Sequence, residues 1–112
     1  MDVQDCPQLT LEYQGTSVKL AADSDERLTL GTARECDLVG HARFTSRHHA
    51  YLECRNQDFY LVDHSTNGSF VQTEDEQVTR VHRSSLRLWG RGYIGLGEPL
   101  HSSIPVVFKQ DG

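Results

Sequence analysis

The chain has almost no helix periodicity, no apolar run long enough to cross a bilayer, and no C-x-x-C pair spaced for zinc. Its three cysteines, Cys6, Cys36 and Cys54, are odd in number and widely spaced. That pattern excludes a disulfide framework and makes a reducing cytosol the expected home. There is no signal peptide, so a cytoplasmic protein without membrane attachment is expected. Basic residues are also in deficit, 11 against 16 acidic, for a net charge of −5. A chain of that sign is not expected to bind nucleic acid or anionic membrane at large, although a local basic patch fits on an acidic body. Its 112 residues fill one domain, spanning 1–112, and suffice for a core without metal or disulfide staples.

What the chain does have is short runs alternating apolar and polar residues, the period of half-buried strands. "LTLEYQ" (9–14) places Leu9, Leu11 and Tyr13 on one face, and "TSVKLA" (16–21) follows across Gln14-Gly15 as a hairpin. The same pattern recurs at 27–31, 49–55 and 59–63, with Asn56-Gln57-Asp58 as the turn between the last two. It returns at 69–71, 77–82, 86–90, 92–97 and 104–109. About ten short strands punctuated by glycine and polar turns predict an all-β sandwich or barrel with function in its loops. The core is expected over residues 9–109, with frayed ends at 1–7 and 110–112.

Two loops carry specialised chemistry. Residues 31–46, "GTARECDLVGHARFTS", are too long for a simple turn and lead into "SRHHA" (46–50). Ser46 offers one hydroxyl donor and Arg47 up to five N–H donors, a good combination for an anion. His49, read as the start of a strand, is placed to hold loop backbone through its ring. The second loop, "DHSTNGSFV" (63–71), contains Asn67, which both donates and accepts and so suits the backbone of an extended peptide. Gly68 permits the positive φ of a sharp return. Taken alone, Asn67-Gly68 reads at least as well as a hairpin turn, and Ser46-Arg47 reads better as a polar lead into a strand.

Other signals are weaker. "GRGYIG" (90–95) spells a dinucleotide fingerprint but lacks the following helix and βαβ context. Of the six histidines only His48 and His49 are close in sequence, and as strand neighbours they would face opposite ways, so no metal is expected. No cofactor or small-molecule substrate is expected either. Ser46, His49 and Asp63 can be drawn as a hydrolase triad, but no strained nucleophile turn accompanies them, so a non-enzymatic role is expected.

The order of "LTLG" (28–31), "CDL" (36–38), "SRHHA" (46–50) and "LVDHSTNGSFV" (61–71) resembles the forkhead-associated domain over roughly residues 9–109. That resemblance implies a β-sandwich of about eleven mostly antiparallel strands, binding a threonine-phosphorylated protein or peptide at one end. Carried over by position, Ser46 and Arg47 contact the phosphate, while Thr66 and Asn67 clasp the adjoining peptide backbone. Gly31, His49 and Gly68 shape the loops. A small apolar notch for the methyl group gives threonine its preference over serine. The segment "RSSLRLWGRGYIGLG" (83–97) further resembles forkhead-associated domains attached to bacterial class III nucleotide cyclases, so a cyclase in the same parent chain is the implied effector.

One departure stands out. Where the family places a phosphate-gripping arginine directly after the glycine, this chain has Thr32. Arg34 or Arg43, in the same long loop, is positioned to replace it. A phosphate-independent interaction domain on the same scaffold is the alternative that Thr32 raises.

Overall fold

The computed structural model describes residues 7–102 and 104–111. Eleven strands among them form two sheets. The first contains β1 (Gln8–Tyr13), β2 (Thr16–Ala21), β7 (Ser69–Gln72), β8 (Val78–Val81), β10 (Arg91–Leu96) and β11 (Val106–Asp111), in the order β2-β1-β11-β10-β7-β8. The second contains β3 (Leu28–Gly31), β4 (Leu38–Val39), β5 (Ala50–Arg55), β6 (Asp58–Asp63) and β9 (Ser85–Leu88), in the order β4-β3-β5-β6-β9. Every pairing is antiparallel except β3 with β4. The only helical element among the described residues is a single 3-10 turn, Leu100–Ser102. No helix among them is long and apolar enough to cross a membrane.

The alternation read from the sequence becomes burial. Leu9, Leu11 and Tyr13 all turn inward from β1, and β6 alternates in the same way with Phe59, Leu61 and Asp63 inside. Leu30, Leu52, Leu88, Ile94, Val71 and Phe108 join them between the sheets. Each large aliphatic or aromatic side chain removed from water contributes about 1.5–3 kcal/mol, so this shared core fixes the register of both sheets.

Three expectations need correction. The long loop carries a further strand, β4, which two residues of parallel pairing are too short to announce by alternation. Asp58 belongs to β6, leaving Asn56 and Gln57, both at positive φ, as the turn. The 110–111 end is not frayed: Gln110 pairs with Leu9 and Asp111 with Gln8. At the other end Pro7 accepts the Ala22 amide, while residues 1–6 and 112 lie outside the described residues. Of the two readings left open for residues 64–68, the hairpin turn is excluded, because β6 and β7 lie in different sheets and do not pair.

That last point positions the site. A segment crossing from one sheet to the other has no ladder to satisfy its backbone, so side chains and neighbouring loops must supply the partners.

Candidate functional site

Gly31, at the end of β3, is buried where the 46–49 segment crosses it. A Cβ there would overlap the Arg47 carbonyl oxygen, so only glycine allows the approach. The two strands of loop are then joined by amide donors: Thr32 N–H to Ser46 O at 3.1 Å and Ala33 N–H to Arg47 O at 3.0 Å. The buried Cys36 thiol group also reaches Arg47 O, at 3.4 Å.

His49 lies one residue before β5 rather than in it, and is fully buried, whereas His48 is exposed beside Glu35. Its Nδ1 accepts the Ser46 amide at 3.0 Å, and its Nε2 donates to the Gly68 carbonyl at 2.9 Å. One imidazole therefore ties the 46–49 loop to the 64–68 loop. Burial pushes its pKa down, against the Gly68 carbonyl and the Asp63 charge, so the neutral ring is the working form.

The 64–68 loop is built on a buried carboxylate. Asp63 accepts Ser65 N–H at 3.0 Å, Ser69 Oγ–H at 2.6 Å and Arg83 N–H at 2.9 Å, with Ser65 Oγ within 3.0 Å of both its oxygens. Burial opposes its ionisation, but these donors outweigh that and hold the carboxyl below the usual range. Ser65 Oγ in turn accepts Gly68 N–H at 2.7 Å, and Gly68 adopts φ +88, the sharp return expected of it.

With both loops fixed, Thr66 N–H donates to Ser46 Oγ at 3.2 Å, and Asn67 Nδ2 donates to Phe44 O at 3.1 Å. Ser46, His49, Thr66, Asn67, Gly31 and Gly68 are thus brought into one joint, with Thr66 and Asn67 exposed on its rim. The triad drawing fails on the same geometry. His49 approaches Ser46 through the backbone amide, both its ring nitrogens are engaged, and the hydroxyl has no base.

The arginines divide into two groups. Arg27, Arg55, Arg87 and Arg91 each pair with a carboxylate: Glu53 for the first two, Asp58 and Glu74 for the others. Arg34, Arg43, Arg47, Arg80 and Arg83, all exposed, have no carboxylate partner among the described residues. Arg34 and Arg47 flank the joined loop segments, and Arg43 lies over the Phe44 ring with 5.3 Å to its centroid. Arg80 and Arg83 were not foreseen. Arg80 Nη2 donates to Asn67 O at 3.1 Å and Arg83 Nε to Ser65 O at 3.3 Å. Nothing in the sequence places the end of β8 and the β8–β9 connection beside residues 64–68, so no local pattern exposes this pair. Guanidinium groups without a carboxylate partner among the described residues, on an acidic chain, form an anion-attracting surface.

The FHA domain model matches residues 28–91, more than half of the chain. Among solved structures, the chain is similar to Mycobacterium tuberculosis Rv1747 FHA-1, with a TM-score of 0.76, 20% identity, and coverage of 96% of this chain and 99% of that one. It is also similar to the MEK1 FHA domain in complex with the HOP1 pThr318 peptide: TM-score 0.71, 20% identity, 93% and 97% covered. A third is the N-terminal FHA domain of S. cerevisiae Rad53p in complex with a phosphothreonine peptide: TM-score 0.66, 20% identity, 91% and 90% covered. No curated protein matches the sequence. By the family match, and with a fold that agrees, this chain belongs to the FHA domain family.

Proposed function

We propose that this domain binds threonine-phosphorylated peptides, without catalysis of its own, and so recruits or regulates an effector once a kinase has acted. The observation that carries the reading is the Ser46–Thr66 joint, where two loops meet under an arginine-rich rim. In it Ser46 and Arg47 hold the phosphate, with Arg34 as the further cation, and Thr66 and Asn67 engage the peptide main chain. A dianionic ester is well served by charge-assisted donors converging from rigid supports. His49, Asp63 and the close approach at Gly31 supply that rigidity. Two similar FHA domains were solved with phosphothreonine peptides, which supports the reading.

The domain is taken to span 1–112 and to work in the cytoplasm. A nucleotide cyclase as linked effector rests on residues 83–97 alone. Titrating a threonine-phosphorylated peptide library against its unphosphorylated twin tests the proposal. Selective binding of the phosphorylated set is expected, and equal or absent binding overturns it.

Thr32 favours a second reading, an interaction domain indifferent to phosphate. Its amide is already committed to Ser46 O and its side chain brings no cation. A tight partner whose capture survives phosphatase treatment would select that reading.

A further inference from the structure

The outer face of the first sheet is open at the end remote from the Ser46–Thr66 joint. One row of outward side chains crosses it in register: Ser17 on β2, Glu12 on β1, Val107 on β11, Tyr93 on β10, Gln72 on β7 and Val78 on β8. Val107, Tyr93 and Val78 are 39%, 46% and 56% exposed, and large side chains of that kind left in water on one face mark an interaction surface. A groove of about 410 Å3 runs beside Tyr93 and Val107, walled by Glu74, Glu76 and Arg91. At the other end of these strands Gly97 N–H donates to Gly68 O, and the Glu98–Leu100 segment covers Gly95. The groove thus lies at the opposite end of β7 and β10 from residues 64–68.

One pleat further from the joint, a second row reads Lys19, Thr10, Lys109 and Arg91, and Arg91 reaches Glu74 at 3.9 Å. Charge in this row is sorted across the sheet. The cations stand on β2, β11 and β10, and the carboxylates gather in the β7–β8 turn, where Glu74, Asp75 and Glu76 follow one another. Lys19 and Glu76, at the two extremes, have no ion-pair partner among the described residues.

We infer that this face receives a second copy of the chain. A two-fold axis running along the strands between β10 and β11 sets Tyr93 of each copy against Val107 of the other. It also lays the β2 side of each copy over the β8 side of its mate, so that Lys19 meets the acidic turn at Glu76, twice by symmetry. A face sorted in this way is its own complement, whereas a partner of one charge sign would meet like charge on half of it. Six strands about 4.8 Å apart, carrying two rows of side chains, offer on the order of 500 Å2 per copy. The pair then buries about 1,000 Å2, the lower limit for a specific interface, so the association is weak and micromolar. Such an axis leaves both loop ends uncovered and pointing the same way, and the inference stands whether or not the phosphothreonine reading does.

Sedimentation of the unmodified chain from about 5 to 500 μM is the test, and a concentration-dependent passage from monomer to dimer, weakened by high salt, is expected. Tyr93→Glu sets a charge at the apolar centre and should weaken association at least about tenfold. Lys19→Glu and Glu76→Lys should each weaken it about three- to tenfold, because attraction becomes repulsion at two symmetric places. Both changes in one chain exchange the charges, and association should return to within about twofold of the parent. That exchange keeps the test decisive should Tyr93→Glu not fold. A chain that stays monomeric throughout overturns the inference and leaves the face to a different protein. A dimer indifferent to Tyr93→Glu, or one that the charge exchange does not restore, overturns it as well.

Discussion

Ser46 Oγ lies 3.2 Å from the amide nitrogen of Thr66, twenty residues further along the chain. The serine thus has a structural duty, receiving a loop amide, alongside the phosphate contact proposed for it.

Ser46→Ala removes the donor proposed for the phosphate and the acceptor of the Thr66 amide. Phosphopeptide affinity should fall by about 1–3 kcal/mol, read by calorimetric titration. An unchanged affinity would mean that the hydroxyl does not touch the phosphate.

Thr32→Arg restores the cation that the family places after its glycine. A hydrogen bond to a charged group contributes about 1.5–3 kcal/mol, so affinity should rise by about one to two powers of ten. Fluorescence anisotropy with a labelled phosphopeptide measures it. No gain would show that the position is already served by another arginine or lies away from the ligand.

Asp63→Asn leaves the buried donors of Ser65, Ser69 and Arg83 with one fewer acceptor and introduces competing N–H groups. A loss of about 2–4 kcal/mol is expected in urea unfolding, with binding impaired in parallel. Stability within about 0.5 kcal/mol of the parent would contradict the central place given to this carboxylate.

His49 and Asp63 together set an acid limit. The folded pKa of His49 is depressed below its ordinary 6.5, so the unfolded chain binds the extra proton first. Its contribution is complete above about pH 6.5 and is lost as pH falls toward the folded value. Asp63 is likewise depressed, from an ordinary 3.8, so its contribution is present above that value and disappears further into acid. Urea midpoints from pH 7.5 to 5, compared between the parent and His49→Gln, isolate the histidine: the parent should lose more stability over that range. Parallel curves would refute its role.

Gly31→Ala sets a methyl group against the Arg47 carbonyl and should separate the two joined loop segments. A loss of at least about 2 kcal/mol is expected, with phosphopeptide binding falling further than stability alone explains. Gly31→Ala at parental stability would mean the loops relax freely at that crossing.

The strands were legible because burial on one face imposes a period of two, and Leu9, Leu11 and Tyr13 carry it openly. Strand β4 was missed because two residues display no period. At the site, Ser46, His49, Thr66, Asn67 and Gly68 stood out by type and order. Sequence alone left Asn67-Gly68 open between a hairpin turn and a binding loop. Tertiary structure excluded the hairpin by sending β6 and β7 to different sheets.

By itself, then, the sequence determined a two-faced β scaffold and a family of loop residues, since periodicity and residue chemistry are local properties of a chain. Which arginines lack a carboxylate partner among the described residues, and that Arg80 and Arg83 join residues 64–68, was decided only by the fold. Those contacts join segments 13 and 18 residues apart from different elements, and such spacing leaves no trace in any local pattern.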